Sequence, residues 1–156
     1  MSDHGYLGEG FQLSEFVRSS KAARLGLDNT PPRVAVNRMA ALVEHVLVPL
    51  RRSVGPIRIT SGYRSPALNR AVGGSLTSQH MSGEAADIKA VNDHHAEELA
   101  RVVAGLKLPV DQCIWYEYDV GGHVHISHVY EGRGRRQYLR GYRDAAGVKR
   151  YEPWSA

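Results

Sequence analysis

Residues 57–89 read IRITSGYRSPALNRAVGGSLTSQHMSGEAADIK. The alternation of apolar and polar residues in Ile57–Ser61 predicts a strand that ends in a turn. His80 and Asp87 follow, and both are potential metal ligands. The residues between them are mostly small, which lets the backbone approach a bound ion or substrate closely. This stretch therefore predicts part of a metal site, and a further ligand must come from elsewhere in the chain.

A histidine pair in a second predicted strand can supply that ligand. Residues 123–129 read HVHISHV. In an extended strand, His123 and His125 project from one face while Val124 and Ile126 project from the other. The two apolar side chains suit a core, so the pattern places both histidines in a cleft.

Three of these side chains form a suitable ligand set for one zinc ion. Catalytic zinc sites commonly take three nitrogen or oxygen ligands and leave one coordination position for water. His80, Asp87 and His125 supply two imidazoles and one carboxylate. We therefore predict a zinc cleft, and the bound ion would polarise a substrate carbonyl.

Hydrolysis at such a site requires helper groups. For proton transfer we favour His123, on the same strand face as His125, with Glu117 on the preceding strand as the alternative. Arg64 can stabilise an oxyanion, and Ser78 can hydrogen-bond a substrate terminus. Each of these residues is also common in purely structural roles, so the prediction depends on their combination.

Helical and strand patterns are mixed along the chain. They predict an α+β fold, with a mainly antiparallel central sheet flanked by helices, in a single domain over residues 1–156. Residues 1–10 are expected to be flexible, and 130–156 form a basic extension that is either solvated or in contact with an acidic polymer. The individual predictions are a helix from Ser14, its N-cap, to Leu25, a turn at 28–32, a helix from Arg33 to about Ser53 that Pro49 bends or ends, a short helix with Ser65 as its cap and Pro66 at its first position, a helix from Asp93, strands at 85–90, 112–118 and 123–129, and a hairpin loop at 119–122.

Composition limits the possible classes of protein. The chain has 156 residues, a formal net charge of +4 and a pI of about 9.4, a mild basic bias that does not choose between anionic partners. Cys113 is the only cysteine, which excludes an internal disulfide and a CxxC zinc site, and we predict a buried thiol. We expect no membrane insertion, no nucleic-acid partner and a monomer. The N-terminus shows no secretory signal, so we expect the protein to be made and kept in the cytosol unless something else releases it.

Three motifs together resemble a known family. These are Ser61-Gly62-Tyr63-Arg64-Ser65, then Ser78-Gln79-His80-Met81-Ser82-Gly83-Glu84-Ala85-Ala86-Asp87, then His123-Val124-His125. They resemble the zinc D-alanyl-D-alanine carboxypeptidase family, whose Ser-x-His-x-x-Gly-x-Ala-x-Asp signature is met at every fixed position. The similarity extends from Phe11 to about Ser127. Asp28-Asn29-Thr30-Pro31 and Val48-Pro49-Leu50-Arg51 also resemble the small phage and prophage branch.

The resemblance implies roles for particular residues. It places the zinc ligands at His80, Asp87 and His125, and a substrate-steadying arginine at Arg64. One branch of the family has a catalytic first histidine in a His-x-His pair, here His123. Other branches use a glutamate three positions before the ligand histidine, where this chain has glycine, so His123 and Glu117 both remain candidates for the proton shuttle.

The activity that the resemblance implies is zinc-dependent hydrolysis of peptide bonds in peptidoglycan stem peptides. The protein would act on the cell wall after release or export. The bond cut would be a terminal D-Ala–D-Ala bond, an L-Ala–D-Glu bond or a crosslink, as in carboxypeptidases or endolysin-type endopeptidases. The alternative is a cell-wall-binding module that retains the fold without turnover. Products released from purified wall would distinguish the two.

Overall fold

The computed structural model describes residues 5–92, 94–117 and 122–154, and the elements below refer to these residues. The helices are α1 (Leu13–Val17), α2 (Ser20–Leu25), α3 (Arg33–Leu42), α4 (Val48–Val54), α5 (Pro66–Ala71) and α6 (Ala96–Gly105). The strands are β1 (Tyr6–Gly8), β2 (Phe11–Gln12), β3 (Ile57–Ser61), β4 (Ala85–Ala90), β5 (Gln112–Tyr116), β6 (His123–Ser127), β7 (Gln137–Arg143) and β8 (Lys149–Pro153).

A six-stranded sheet with the order β3-β4-β6-β5-β7-β8 is the centre of the fold. Its neighbouring strands are antiparallel except for the parallel pair β5–β7. The α+β class and the mainly antiparallel sheet are therefore confirmed. One face of the sheet packs on the helices, in a core that includes Met39, Leu47, Leu99, Val124 and Ile126.

The first predicted helix is in fact two helices. The chain becomes extended at Arg18, and the Ser19 hydroxyl then caps α2 by accepting a hydrogen bond from the Ala22 amide at 3.1 Å. Ser14, which the sequence suggested as the cap, lies inside α1. The N-cap position belongs to Gln12, whose amide donates to the Glu15 carboxylate at 2.7 Å.

The long helix continues past Pro49 instead of ending there. A π-helical turn, Val43–Leu47, joins α3 to α4, and the amide of Val48 donates to the carbonyl of Val43. A proline in a regular α-helix clashes with the carbonyl four residues earlier, which here is His45. The wider turn lies where that clash would occur, and the helix continues to Val54.

The C-terminal region adds two strands that the sequence did not reveal. β7 pairs with β5, and β8 pairs with β7. Several of the arginines that made this region look solvated have acidic partners: Arg135 binds Asp111, Arg140 binds Glu117 and Glu152, and Arg150 binds Asp144. Much of the basic charge is therefore neutralised within the fold.

Three other sequence predictions have different outcomes. Tyr6–Gly8 forms β1, within the stretch for which we expected little regular structure, and it pairs with β2. Cys113 is fully buried, as predicted, and burial raises the pKa of its thiol to about 12. The predicted helix start at Asp93 and most of the 119–122 loop lie outside the described residues. No helix among the described residues has the length and apolar character needed to span a membrane.

Candidate metal centre

Two neighbouring strands bring Asp87 and His125 together. In the antiparallel pair of β4 and β6, these two residues are direct register partners. Directly opposed residues project from the same face of a sheet, so the carboxylate and the imidazole meet on the face away from the helices. On the other face, Ile88, Val124 and Ile126 are completely buried. The alternation of apolar and polar residues therefore determines which way both side chains point.

His80 reaches the same point from the loop between α5 and β4. Its side chain is buried, and its ligand atom, with those of Asp87 and His125, forms a cluster in which all lie within 4.8 Å of one another. His80 Nε2 is 3.3 Å from Asp87 Oδ1, and His125 Nδ1 is 3.1 Å from the same oxygen. Two ligands of one tetrahedral zinc ion lie about 3.3 Å apart. The cluster therefore has the spacing of a coordination site, and these three residues could hold a metal ion.

The protonation of His80 supports a cation at this position. Its Nδ1 lies 2.7 Å from the carbonyl oxygen of Gly62, which can only accept, so Nδ1 carries the proton. In a neutral imidazole, Nε2 then has a lone pair that faces the carboxylate of Asp87. Two lone pairs repel each other unless a proton or a metal ion lies between them. The carbonyl of Gly62 therefore orients the histidine in the way that backbone carbonyls orient metal ligands.

The Asp87 side chain remains ionised despite its burial. Burial by itself would raise the pKa of this carboxyl group, but the imidazoles of His80 and His125, when protonated, oppose it through their charge and their hydrogen bonds to the carboxylate. The net effect holds the pKa well below its ordinary value. Asp87 is consequently a carboxylate at neutral pH, as a metal ligand must be.

Arg64 lies beside this cluster, on the turn that follows β3. Its Nη2 is 3.5 Å from Oδ2 of Asp87, the oxygen that does not face the histidines, and its Nε donates to Ser61 Oγ at 3.3 Å. Its backbone amide donates to the carbonyl of His80 at 3.1 Å. The side chain is 18% exposed, so its charge is partly shielded from water. The guanidinium is in a position to meet negative charge that develops near the cluster.

His123 lies two residues before His125 in β6 and on the same sheet face. Its ring stacks on Tyr116, with centroids 4.5 Å apart and planes 21° from parallel. It also lines a cavity of about 490 Å³ together with Arg58 and Lys89. His123 is therefore partly exposed next to the cluster, which suits a residue that exchanges protons.

Glu117 is not brought together with the cluster. Both of its carboxylate oxygens accept hydrogen bonds at 2.8 Å from Arg140. The Arg140 guanidinium lies 5.6 Å from the ring of Trp115, which projects from the face opposite Tyr116 and His123. The carboxylate is thus engaged in an ion pair on the other side of the sheet.

Ser78 is close to the cluster and contributes to its local structure. Its hydroxyl accepts a hydrogen bond from the backbone amide of His80 at 3.3 Å. It also lines a cleft of about 340 Å³ that His125 borders. A substrate in this cleft would lie against the Ser78 side chain.

Comparison with known proteins agrees with this geometry. The family model described as Peptidase M15 matches residues 9–127, from just before β2 to the end of β6. The chain belongs to the peptidase M15 family. The match contains all three cluster residues, Arg64 and His123, and it stops before the β7–β8 hairpin. A comparison with curated proteins finds no match for the chain.

Sequence reasoning missed two residues that support this M15 site. Asn29 donates to the carbonyls of Val17 and Tyr63 at 2.8 and 3.1 Å, and it accepts from the Ser65 amide at 2.7 Å. It therefore fixes the backbone on both sides of Arg64. The Asp-Asn-Thr-Pro turn drew attention to this segment, but nothing in it indicates a partner 34 to 36 residues away.

Asp111 is the second missed residue. It is 3% exposed, and it accepts from Gln79 Nε2 at 3.0 Å and from Arg135 Nη2 at 2.7 Å. Hydrogen bonds from Arg135, opposed by burial and aided by Gln79, lower the pKa of this carboxyl group from 3.8 to about 2. The loop at 72–84 carries His80 and is called the metal loop below. Because Gln79 immediately precedes His80, Asp111 connects the metal loop of this M15 protein to the segment that leads into β7.

Proposed function

We propose that the protein is a zinc peptidase that hydrolyses peptide bonds in peptidoglycan stem peptides. The observation that carries the proposal is the His80–Asp87–His125 cluster, with the proton of His80 fixed on the nitrogen that faces Gly62. Membership of the peptidase M15 family supports both the reaction and the substrate class. Two imidazoles and one carboxylate are a donor set typical of catalytic zinc.

The bound zinc ion would supply Lewis acidity towards a water molecule and the scissile carbonyl. The protein's own residues supply the rest. Arg64 donates hydrogen bonds to the oxygen on which negative charge develops, because Asp87 engages only its Nη2 and Ser61 only its Nε. Ser78 hydrogen-bonds the substrate backbone at the edge of the cleft.

His123 is the proton shuttle in this proposal. It accepts a proton from water as attack begins and donates one to the departing amine. Its position on the same sheet face as His125 supports this role, and its stack on Tyr116 limits how its ring can rotate. Glu117 is less suitable because Arg140 holds both of its oxygens.

The proposal is tested with the His80→Ala variant. Wild-type protein loaded with zinc should bind about one ion per chain and release peptides or free D-Ala from purified peptidoglycan, as seen by mass spectrometry. The variant should lose both zinc and product, and a chelator should abolish product in the wild type. Wall retention without product from zinc-loaded wild type would instead support the wall-binding alternative. The product masses distinguish a carboxypeptidase from an endopeptidase.

A second comparison separates the two shuttle candidates. We expect His123→Ala to lower kcat about a hundredfold or more with zinc content unchanged, because it removes the proton-transfer group. Glu117→Gln should leave kcat near the wild-type value, since its ion pair lies on the other sheet face. A large loss in the Glu117 variant, with little in the His123 variant, would reverse the assignment.

A further inference from the structure

The β7–β8 hairpin borders the cleft next to the metal cluster, although it lies outside the segment that matches the peptidase family. β7 pairs with β5, and the register sets Leu139 beside Ile114 and Gly141 beside Tyr116. Tyr151 of β8 is the register partner of Gly141. Leu139 and Tyr151 therefore project from the same sheet face as His125.

The cleft between His125 and the hairpin has a volume of about 340 Å³, and both Leu139 and Tyr151 line it. Tyr151 is 51% exposed, and its hydroxyl accepts a hydrogen bond from the Tyr116 hydroxyl at 3.4 Å. The Tyr116 ring lies directly over Gly141, where any larger residue would collide with it. The two tyrosines thus form an aromatic part of the cleft lining, on the same sheet face as His125.

The lining of this cleft selects for an uncharged group. Among the described residues, it includes no aspartate, glutamate, lysine or arginine. Ile114, Tyr116, Leu139 and Tyr151 provide the apolar side, and serine, threonine and glutamine side chains provide the polar side. A charged side chain placed here would lose hydration without gaining a partner.

We propose that the hairpin forms a specificity subsite for an uncharged residue beside the scissile bond, with Leu139 and Tyr151 as specificity-determining residues. This inference rests on the proposed function. An alanine flanks each bond that we considered, the D-Ala–D-Ala bond, the L-Ala–D-Glu bond and the crosslink. The small apolar side chain of alanine and its flanking amides match the two sides of the cleft.

Substitution of Tyr151 tests the subsite. The scissile bond is first identified by mass spectrometry with zinc-loaded wild-type protein and two probes, an acetylated stem pentapeptide and a crosslinked dimer of stem peptides. Tyr151→Ala should then raise KM about tenfold with kcat nearly unchanged, because a contact made equally in the ground and transition states is lost. Tyr151→Phe should retain the wild-type KM.

Tyr142→Ala is the matched control. Tyr142 lies on the same hairpin but on the opposite sheet face, where the Arg140 guanidinium is 5.0 Å from its ring. This variant should keep the wild-type KM, and all variants should retain one zinc ion and the wild-type thermal midpoint. A KM that rises equally in the Tyr142 and Tyr151 variants would mean that hairpin stability alone is responsible, and would overturn the subsite.

A charge-swap experiment tests the selectivity directly. The alanine beside the scissile bond is replaced by glutamate, and wild type should cleave this peptide at least tenfold less efficiently than the parent. Leu139→Arg should reduce that preference about tenfold by offering the glutamate a partner. An unchanged preference would overturn the subsite while leaving the proposed function intact. Absence of any cleavage by zinc-loaded wild type would overturn the proposed function, and the subsite with it.

Discussion

At the scale of single residues, the position of Arg64 depends on Asn29, a side chain that is not itself a candidate metal ligand and that hydrogen-bonds to backbone groups. Asn29 is 8% exposed, and its amide bonds to the backbone at Val17, Tyr63 and Ser65. Three hydrogen bonds from one buried side chain restrict the turn more than local sequence can. The guanidinium is thereby held in place from outside the cleft.

We expect Asn29→Ala to lower the free energy of unfolding by about 2 kcal/mol, because it leaves buried backbone groups without partners. It should also reduce kcat/KM without loss of zinc, since the turn carrying Arg64 loosens while the cluster remains. Denaturant titration, zinc analysis and peptide hydrolysis measure these effects. Asn37→Ala, on the exposed face of α3, is the control and should change stability by less than about 0.5 kcal/mol. Equal effects of the two substitutions would contradict this role of Asn29.

Gly83, within the metal loop, illustrates a second constraint. It has a φ of +79°, and a Cβ at this position would collide with the backbone of Ala35 in α3. Gly73 also has a positive φ, of +70°, but a Cβ there would meet nothing within 4 Å. The two glycines therefore share a backbone conformation and differ in the space around them.

Gly73→Ala should cost about 1 kcal/mol of stability, the usual penalty for a left-handed residue with a side chain. Gly83→Ala should cost clearly more and weaken zinc binding, because the loop must move away from α3 and shift His80. Thermal unfolding and zinc titration of the two variants measure the difference. Similar losses in both would show that conformation alone matters at Gly83.

At the scale of elements, the sequence predicts those whose signals are local. The strand predicted at 85–90 is confirmed as β4, and the alternation in β6 correctly places Val124 and Ile126 in the core. Ser65 and Pro66 correctly indicate the start of α5, where the Ser65 hydroxyl accepts from the Leu68 amide at 3.2 Å. The alternative that Pro49 ends the helix was wrong, because a π turn that local sequence does not encode accommodates the proline.

The β7–β8 hairpin was not predicted because its stability comes from distant partners. β7 pairs in parallel with β5, and a parallel pair has no short turn that the sequence could reveal. Its arginines look like solvated residues until their acidic partners are known, for example Arg140 with Glu152 at 2.6 Å. The candidate cluster residues could be named from sequence because they lie in recognisable motifs. Asn29 and Asp111 could not, because their roles depend on partners that are distant in the sequence.

At the scale of the whole molecule, Asp111 joins the metal loop, β5 and the C-terminal hairpin. Its folded-state pKa is lowered to about 2, so its contribution to stability is present above the ordinary pKa of 3.8 and disappears as pH falls through about 2. The Arg135 side chain is 57% exposed, and water weakens the pair. We therefore expect a contribution of about 1–2 kcal/mol at neutral pH.

Comparison with Asp111→Asn measures this contribution. The free energy of unfolding of metal-free wild type should exceed that of the variant by this amount at neutral pH, and the excess should vanish as the solution is acidified from about pH 4 to about pH 2. Metal-free protein avoids the separate effect of acid on metal binding. A difference that stays constant over this range would contradict the role of the Asp111 charge.

The burial of Cys113 gives this molecule a built-in chemical reporter. The only thiol of the chain lies on β5, between the strand that carries His125 and the strand that carries Leu139. With a pKa of about 12 and no exposed surface, it can react with an alkylating reagent only after the core around β5 opens. The alkylation rate therefore records how often this part of the core opens, and a rate faster than global unfolding would reveal a local opening around β5.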